Sequence, residues 1–203
     1  MARNIGYRGS LEDIVRGFGK ATIRTIDVPT VNGRYFGNNC GVGFDSAVVE
    51  LSTDGTCKLP GTLCYFWNVY RAVIRFKPIP MTITIDDEVL KGRYTLCTVL
   101  NGQDFGGGMI MGPGAVMDDG ILDICLVENV SALRLMTIFP LVYKGKHIEL
   151  PEVTMHRGRK IVIEAETPSP INYDGDLIGV TPAVIEVGKF HQEALVPSPP
   201  EMP

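Results

Sequence analysis

Two aspartates bracket a glycine in NYDGDLIG, so Asp174 and Asp176 lie within reach of one another on a chain that Gly175 leaves free to turn. Paired carboxylates of this kind can take a proton from a hydroxyl nucleophile or hold magnesium. The same tripeptide also reads as a plain Asp-Gly turn between strands. A denser run, GQDFGGGMIMGPGAVMDDGILDI, carries Gly106, Gly107 and Gly108 in succession. Three glycines let a backbone approach a phosphate closely, or else form a bulged turn between strands; with no GKS or GKT they are not a Walker loop. Asp118 and Asp119 close the run, where they could cap a turn or, with backbone carbonyls, hold a hard cation in a structural site. NNCGVGFDSAVVE places Asn38, Asn39, Gly41, Gly43 and Asp45 at the end of a strand. Small residues ending in an acid fit a polar group at a cleft edge, or simply a strand turning tightly into a helix. The basic run from His156 to Lys160 reads as a solvated hairpin tip, with contact to anionic lipid as its functional alternative. His147, His156 and His191 lack metal-ligand spacing and are assigned no role.

The elements that must position these groups follow from composition and period. The chain has 203 residues, 45% apolar and 21% charged, which supports one domain with a buried core. Its 23 Gly and 14 Pro recur at short intervals, as many short strands joined by turns require. Net charge is −4, which disfavours nucleic acid as a partner. Five cysteines, an odd number without a CxxC pair, argue against a disulfide framework or a zinc site and fit a reducing cytoplasm. No run of about 18 apolar residues and no hydrophobic leader are present, so neither membrane spanning nor export is expected. Ser10 with Asp13 resembles a capping box ahead of a short amphipathic helix. ATIRTIDV and GRYFGNNCGVGF, joined by the turn at 31–34, read as a hairpin. Leu63, Phe66, Trp67, Tyr70, Val73 and Ile74 recur at helical spacing. From Pro80 period two takes over in MTITIDD, RYTLCTVLNG, GILDICLV, KIVIEAE and AVIEV, interrupted by a helix near 131–146 that Pro140 should kink or end. The Pro-rich tail from 194 to 203 should not pack regularly. The expectation is α+β and mainly β: one domain over 1–203, with two or three helices on a β-sandwich-like body.

Taken in order, NGRYFGNNCGVGFDSAVV, LNGQDFGGGMIMGPGAVMDDGILDICLV, the helix ending YKGKH, RKIVIEAETPSPINYDGDLIG and ALVPSP resemble the C-terminal half of the diacylglycerol kinase and sphingosine kinase superfamily, particularly its bacterial lipid kinases. The similarity runs nearly end to end and implies a β-sandwich domain that comes after an α/β nucleotide domain. The family's GGDGT and GTGND motifs are absent, and ARNIGYRGSLEDI resembles the segment immediately after GTGND in intact members. The resemblance implies ATP-dependent transfer of a phosphoryl group to a lipid hydroxyl, most simply that of diacylglycerol, by a protein peripheral to the inner membrane surface. It implies that Asp174 and Asp176 fill the family's Asp-Gly-Glu positions as proton acceptor and electrostatic partner, with Asp176 one methylene shorter than the usual Glu. It implies that structural magnesium is held by Asp119 with the carbonyls of Val116 and Ile121. On this reading the chain needs the missing nucleotide-binding domain as partner, is inactive alone, and can self-associate through exposed apolar edges. The alternative is a stand-alone lipid-binding or protein-interaction module; an NAD kinase, which shares the two-domain plan, fits the Gly-rich and Asp-Gly-Asp segments less well.

Overall fold

The computed structural model describes residues 4, 5, 7, 10–58, 60–105 and 108–197. The chain opens with α1 (Leu11–Gly17), β1 (Thr22–Asp27), β2 (Thr30–Val31), β3 (Arg34–Tyr35), β4 (Asn39–Gly43), α2 (Phe44–Thr53) and α3 (Gly61–Arg75). It continues through β5 (Ile79–Ile85), β6 (Glu88–Leu100), β7 (Asp104–Phe105), β8 (Met109–Ile110), β9 (Leu122–Glu128) and α4 (Ala132–Val142). It closes with β10 (Val153–Gly158), β11 (Lys160–Ala165), β12 (Pro170–Tyr173), β13 (Asp176–Val180), β14 (Ala183–Glu186) and β15 (His191–Val196). Every pairing among the described residues is antiparallel, as a chain of short strands and tight turns dictates.

The long strand β6 organises the body. Its first half pairs with β5, while residues 96–100 pair with β4 on one side and β9 on the other, so the sheet branches and curls over itself. From β4 it runs outward through β12 to β13, and from β5 through β11 and β14 to β2 and β3. Residues 124–127 of β9 are apolar on both faces because both are covered. Leu122, Ile124 and Leu126 enter the core of the sandwich, whereas Cys125 and Val127 join a second core beneath the helices. β6 divides likewise: Cys97 and Val99 face the first core, Leu96 and Leu100 the second.

Several sequence expectations meet the structure with changes. The Ser10 capping box forms, Asp13 N–H bonding Ser10 Oγ at 3.2 Å, but α1 buries no residue. The Asn32–Gly33 turn is present between β2 and β3, yet β1 pairs with β15, Thr22 opposite Val196 and Asp27 opposite His191. The tail expected to be irregular therefore contributes residues 194–196 to a strand; 198–203 lie outside the described residues. Pro140 sits inside α4, which continues to Val142. Cys57 and Cys64 form a disulfide, contrary to the reading of the five cysteines, while Cys40, Cys97 and Cys125 are free and buried.

The helix α3 forms where its period predicts, but its sidedness is unexpected. Asn68, Val69, Ala72 and Val73 face inward, and most of the apolar stripe that announced the helix lies on the solvent side.

Candidate functional site

Between α2, α3, α4 and the sheet lies a cavity of about 840 Å³. Its body is apolar: Phe44 and Val48 come from α2, Tyr65 and Val69 from α3, Leu135 and Ile138 from α4. The polar groups gather from neighbouring turns and strands and from the first turn of α2, with Asn38, Asn39, Asp45, Asp104, Asn172 and Asp174 in the lining. An apolar cavity of this size with few convergent polar groups is the form that takes an amphipathic small molecule.

Asp45 is the acid buried in this lining. Gly43, at φ 116°, makes the sharp entry into α2: a Cβ there would stand 2.6 Å from the carbonyl oxygen of Thr95. That turn brings Asp45 into the first turn of the helix and against β4, where a Cβ on Gly41 would fall 2.0 Å from Asp45 Oδ2. Small residues at 41 and 43 therefore make room for a carboxylate. Asp45 Oδ1 accepts from the Ser46 amide at 2.8 Å; Oδ2 accepts from Thr98 Oγ1 at 3.2 Å and Asn172 Nδ2 at 3.4 Å. Burial outweighs these bonds and pushes its pKa up to about 6. Sequence reasoning registered Asp45 only as a polar group at a cleft edge; its Gly-x-Gly-Phe-Asp setting was the available signal.

The Asp-Gly-Asp segment is indeed a two-residue turn. Asp174 and Gly175, at φ 46° and 96°, connect β12 to β13 in the left-handed geometry that such hairpins require, with Tyr173 opposite Asp176. β12 pairs with β4, placing Asn172 opposite Gly41 and next to Asp45. The two acids are not equivalent. Asp174 Oδ2 accepts from the Gly37 amide at 2.6 Å, and its Oδ1 accepts from the amides of Asn38 and Asn39 at 2.9 and 3.1 Å. Its carboxylate ties the β3–β4 connection to the hairpin. Asp176 is exposed, and its carboxylate has no hydrogen bond or ion pair among the described residues. Asn38 and Asn4 complete this rim: each side-chain amide donates to the carbonyl of Asp104, at 2.8 and 3.0 Å.

Of the glycine run, Gly108 lies at the cavity with φ 102°, immediately before β8; Gly106 and Gly107 lie outside the described residues. The segment expected to hold magnesium is otherwise engaged. Asp119 Oδ1 accepts from the Ile121 amide at 3.1 Å, and Oδ2 is in contact with the Arg157 guanidinium, which also lies 3.5 Å from Asp123. A resident cation, Arg157, stands against the carboxylate on which the metal set of Val116, Asp119 and Ile121 depends, so these residues as arranged do not fit a bound magnesium. Asp118 is likewise taken, by Arg24 through two bonds of 2.6 Å. Within the basic run at 156–160, Arg157 faces Asp119 and Lys160 lies 3.5 Å from Glu186, while the exposed Arg159 guanidinium forms no ion pair among the described residues.

Fold and site together define a class: a curled antiparallel sandwich whose helices enclose an apolar cavity rimmed by carboxylates and amides. The family model of the YegS C-terminal NAD kinase β-sandwich-like domain matches residues 38–193, and the chain belongs to that family, the C-terminal domains of the diacylglycerol and sphingosine kinase superfamily. A diacylglycerol kinase of Mycobacterium tuberculosis is 31% identical over 168 residues, covering 79% of this chain and 53% of its own length. One from Staphylococcus saprophyticus is 26% identical over 174 residues, covering 85% of this chain and 57% of its own. The crystal structure of a diacylglycerol kinase from Bacillus anthracis is 26% identical with a TM-score of 0.60, over 82% of this chain and 54% of that one. The chain thus spans a little over half the length of the relatives it matches.

Proposed function

We propose that this chain is the lipid-holding domain of an ATP-dependent lipid kinase, with diacylglycerol as its substrate. The observation that carries this reading is the cavity: an apolar body for acyl chains, with a buried carboxylate and amides where a glycerol headgroup would end. Asp45 Oδ2 already accepts two hydrogen bonds, whereas Oδ1 accepts the Ser46 amide and keeps a lone pair with which to orient the acceptor hydroxyl. Asp176, the unengaged acid, takes the proton as the hydroxyl attacks the γ-phosphate, and Asp174 holds the rim in place through its three amides. Catalysis of this kind rests on alignment and charge placement, so a nucleotide must be brought in line with the rim. The sequence contains no GGDGT loop; ATP, with Gly106–Gly108 beside its phosphates, is held chiefly by a separate nucleotide-binding domain. The protein works in the cytoplasm against the inner membrane surface, and this chain alone does not turn over.

The test is calorimetric titration of the purified chain with a short-chain diacylglycerol, alongside an assay for phosphatidic acid with ATP. Saturable one-to-one binding that is lost in Val69→Phe, whose larger side chain fills the cavity, is the expected result, with no product from the chain alone. Absence of binding, or binding that Val69→Phe leaves intact, refutes the reading. Joined to a nucleotide-binding domain, a protein carrying Asp176→Asn should bind lipid yet lose turnover; retention of turnover points to binding without catalysis by these acids.

A further inference from the structure

The exposed stripe of α3 has no partner among the described residues. Leu63, Phe66, Trp67, Tyr70 and Ile74 are 60%, 48%, 47%, 47% and 59% exposed, and they fall at i, i+3, i+4, i+7 and i+11 on one face. Trp67 and Tyr70 stack with ring centroids 5.6 Å apart. The adjoining helix α4 adds Leu133 and Met136, exposed by 75% and 49%. The inner sides of the same two helices, through Tyr65 and Val69 and through Leu135 and Ile138, wall the cavity. The pair is therefore apolar on both faces, one turned to the cavity and the other to solvent, and surface patches of this kind mark an interaction site.

Charge selects among the occupants. Neither helix contains an Asp or Glu in a chain of net charge −4. Arg71 and Arg134 are held by Asp54 and Glu152. Lys58, Arg75 and Lys77 at the ends of α3, and Lys144 and Lys146 after α4, form no ion pair among the described residues. An apolar face rich in Trp, Tyr and Phe, bordered by unpaired cations, has the composition of a helix lying in the interface of an anionic bilayer.

We propose that the outer face of α3, extended by Leu133 and Met136, docks this chain on an anionic lipid bilayer and sets its cavity one helix thickness from the membrane. The proposal deepens the lipid reading above and rests on it for the cargo. Trp67 is the sole tryptophan, so its emission reports on this face alone. The purified chain is mixed with phosphatidylcholine vesicles containing phosphatidylglycerol, and emission and co-sedimentation are followed. A shift to shorter wavelength with pelleting is expected. The triple variant Phe66→Ser/Tyr70→Ser/Ile74→Ser should lower vesicle partition by at least about tenfold, while its urea midpoint is not lowered because all three side chains are exposed. Unchanged emission and no pelleting overturn the proposal. So does an emission shift that tracks protein concentration without vesicles and accompanies dimers in sedimentation, which would make this a face between copies of the chain. Short-chain diacylglycerol titrated from solution reads the cavity separately. Titration without vesicle docking refutes the docking face and leaves the cavity reading standing; docking without titration does the reverse.

Discussion

Replacing Asp45 with Asn should stabilise the chain at neutral pH while impairing lipid binding. Burial lifts the carboxyl from an ordinary value of 3.8 to about 6. A shift of roughly two units at 1.36 kcal/mol each is about 3 kcal/mol. The sign comes from proton counting: the folded state holds the proton more tightly than the unfolded one, so stability falls as pH rises from about 4 to about 6 and the penalty stays in full above that. Asn cannot ionise and escapes it. Its oxygen can keep the Ser46 amide and Thr98 can rotate to accept, but its NH₂ then faces Asn172 Nδ2, where the carboxylate had accepted at 3.4 Å. That conflict costs about 1 kcal/mol. The net gain is about 2 kcal/mol near neutrality, or a melting temperature higher by about 4–8 °C in a domain of this size. Toward pH 4 and below the wild-type carboxyl is protonated, the ionisation penalty fades and only the Asn172 conflict is left, so the variant should become the less stable protein by up to about 1 kcal/mol. Urea titrations of both proteins at the two pH values measure it. Other titrating groups, including His147, whose pKa burial lowers, cancel in the difference between the proteins. A stability difference that does not change with pH, or a wild type more stable than the variant near neutrality, would refute the assignment of a desolvated, ionisable Asp45.

Asp174→Ala should lower stability by about 1–3 kcal/mol through loss of three amide bonds to one carboxylate, whereas Asp176→Ala, which breaks none, should stay within about 0.5 kcal/mol; equal urea midpoints for the two variants contradict the division of roles. Gly41→Ala puts a methyl into Asp45 and within 3.1 Å of the Cys97 carbonyl, so titration calorimetry should find diacylglycerol binding abolished, and wild-type affinity would mean the carboxylate is not part of the site. Arg157→Met removes the cation between Asp119 and Asp123; millimolar magnesium should then raise the melting temperature of the variant and leave the wild type unchanged, and an equal response in both rules out Arg157 as the internal counter-ion.

Local chemistry and period were legible in the sequence. Tight turns at Asn32–Gly33 and Asp174–Gly175, the Ser10 cap and the β-rich half arise from short-range backbone preferences, and these the structure contains. Pairing over long range was not legible. Nothing in ATIRTIDV indicates that its partner is HQEALV at the far end of the chain, because residues of Thr, Ile and Val type serve equally well beside many strands. The site has the same division. The two acids of the Asp-Gly-Asp turn were visible as a pair, but which one is free depends on three amides from residues 37–39 that only the β4–β12 pairing delivers.

α3 shows the limit most sharply, since its period correctly predicts a helix and says nothing about which side is buried. Periodicity reports that apolar residues share a face; burial depends on what lies opposite. Here the inward face is built from Asn68, Val69, Ala72 and Val73, small or short enough to lie against α2 and the cavity. The bulkier Phe66, Trp67 and Tyr70 remain outside. A solvent-facing stripe of large apolar side chains is unfavourable in water unless something else covers it, and this inversion is the observation on which the proposed bilayer docking rests. Under that proposal the cavity behind the helix has an apolar supply on its other side, and a lipid moving between the two need cross only the α3–α4 wall.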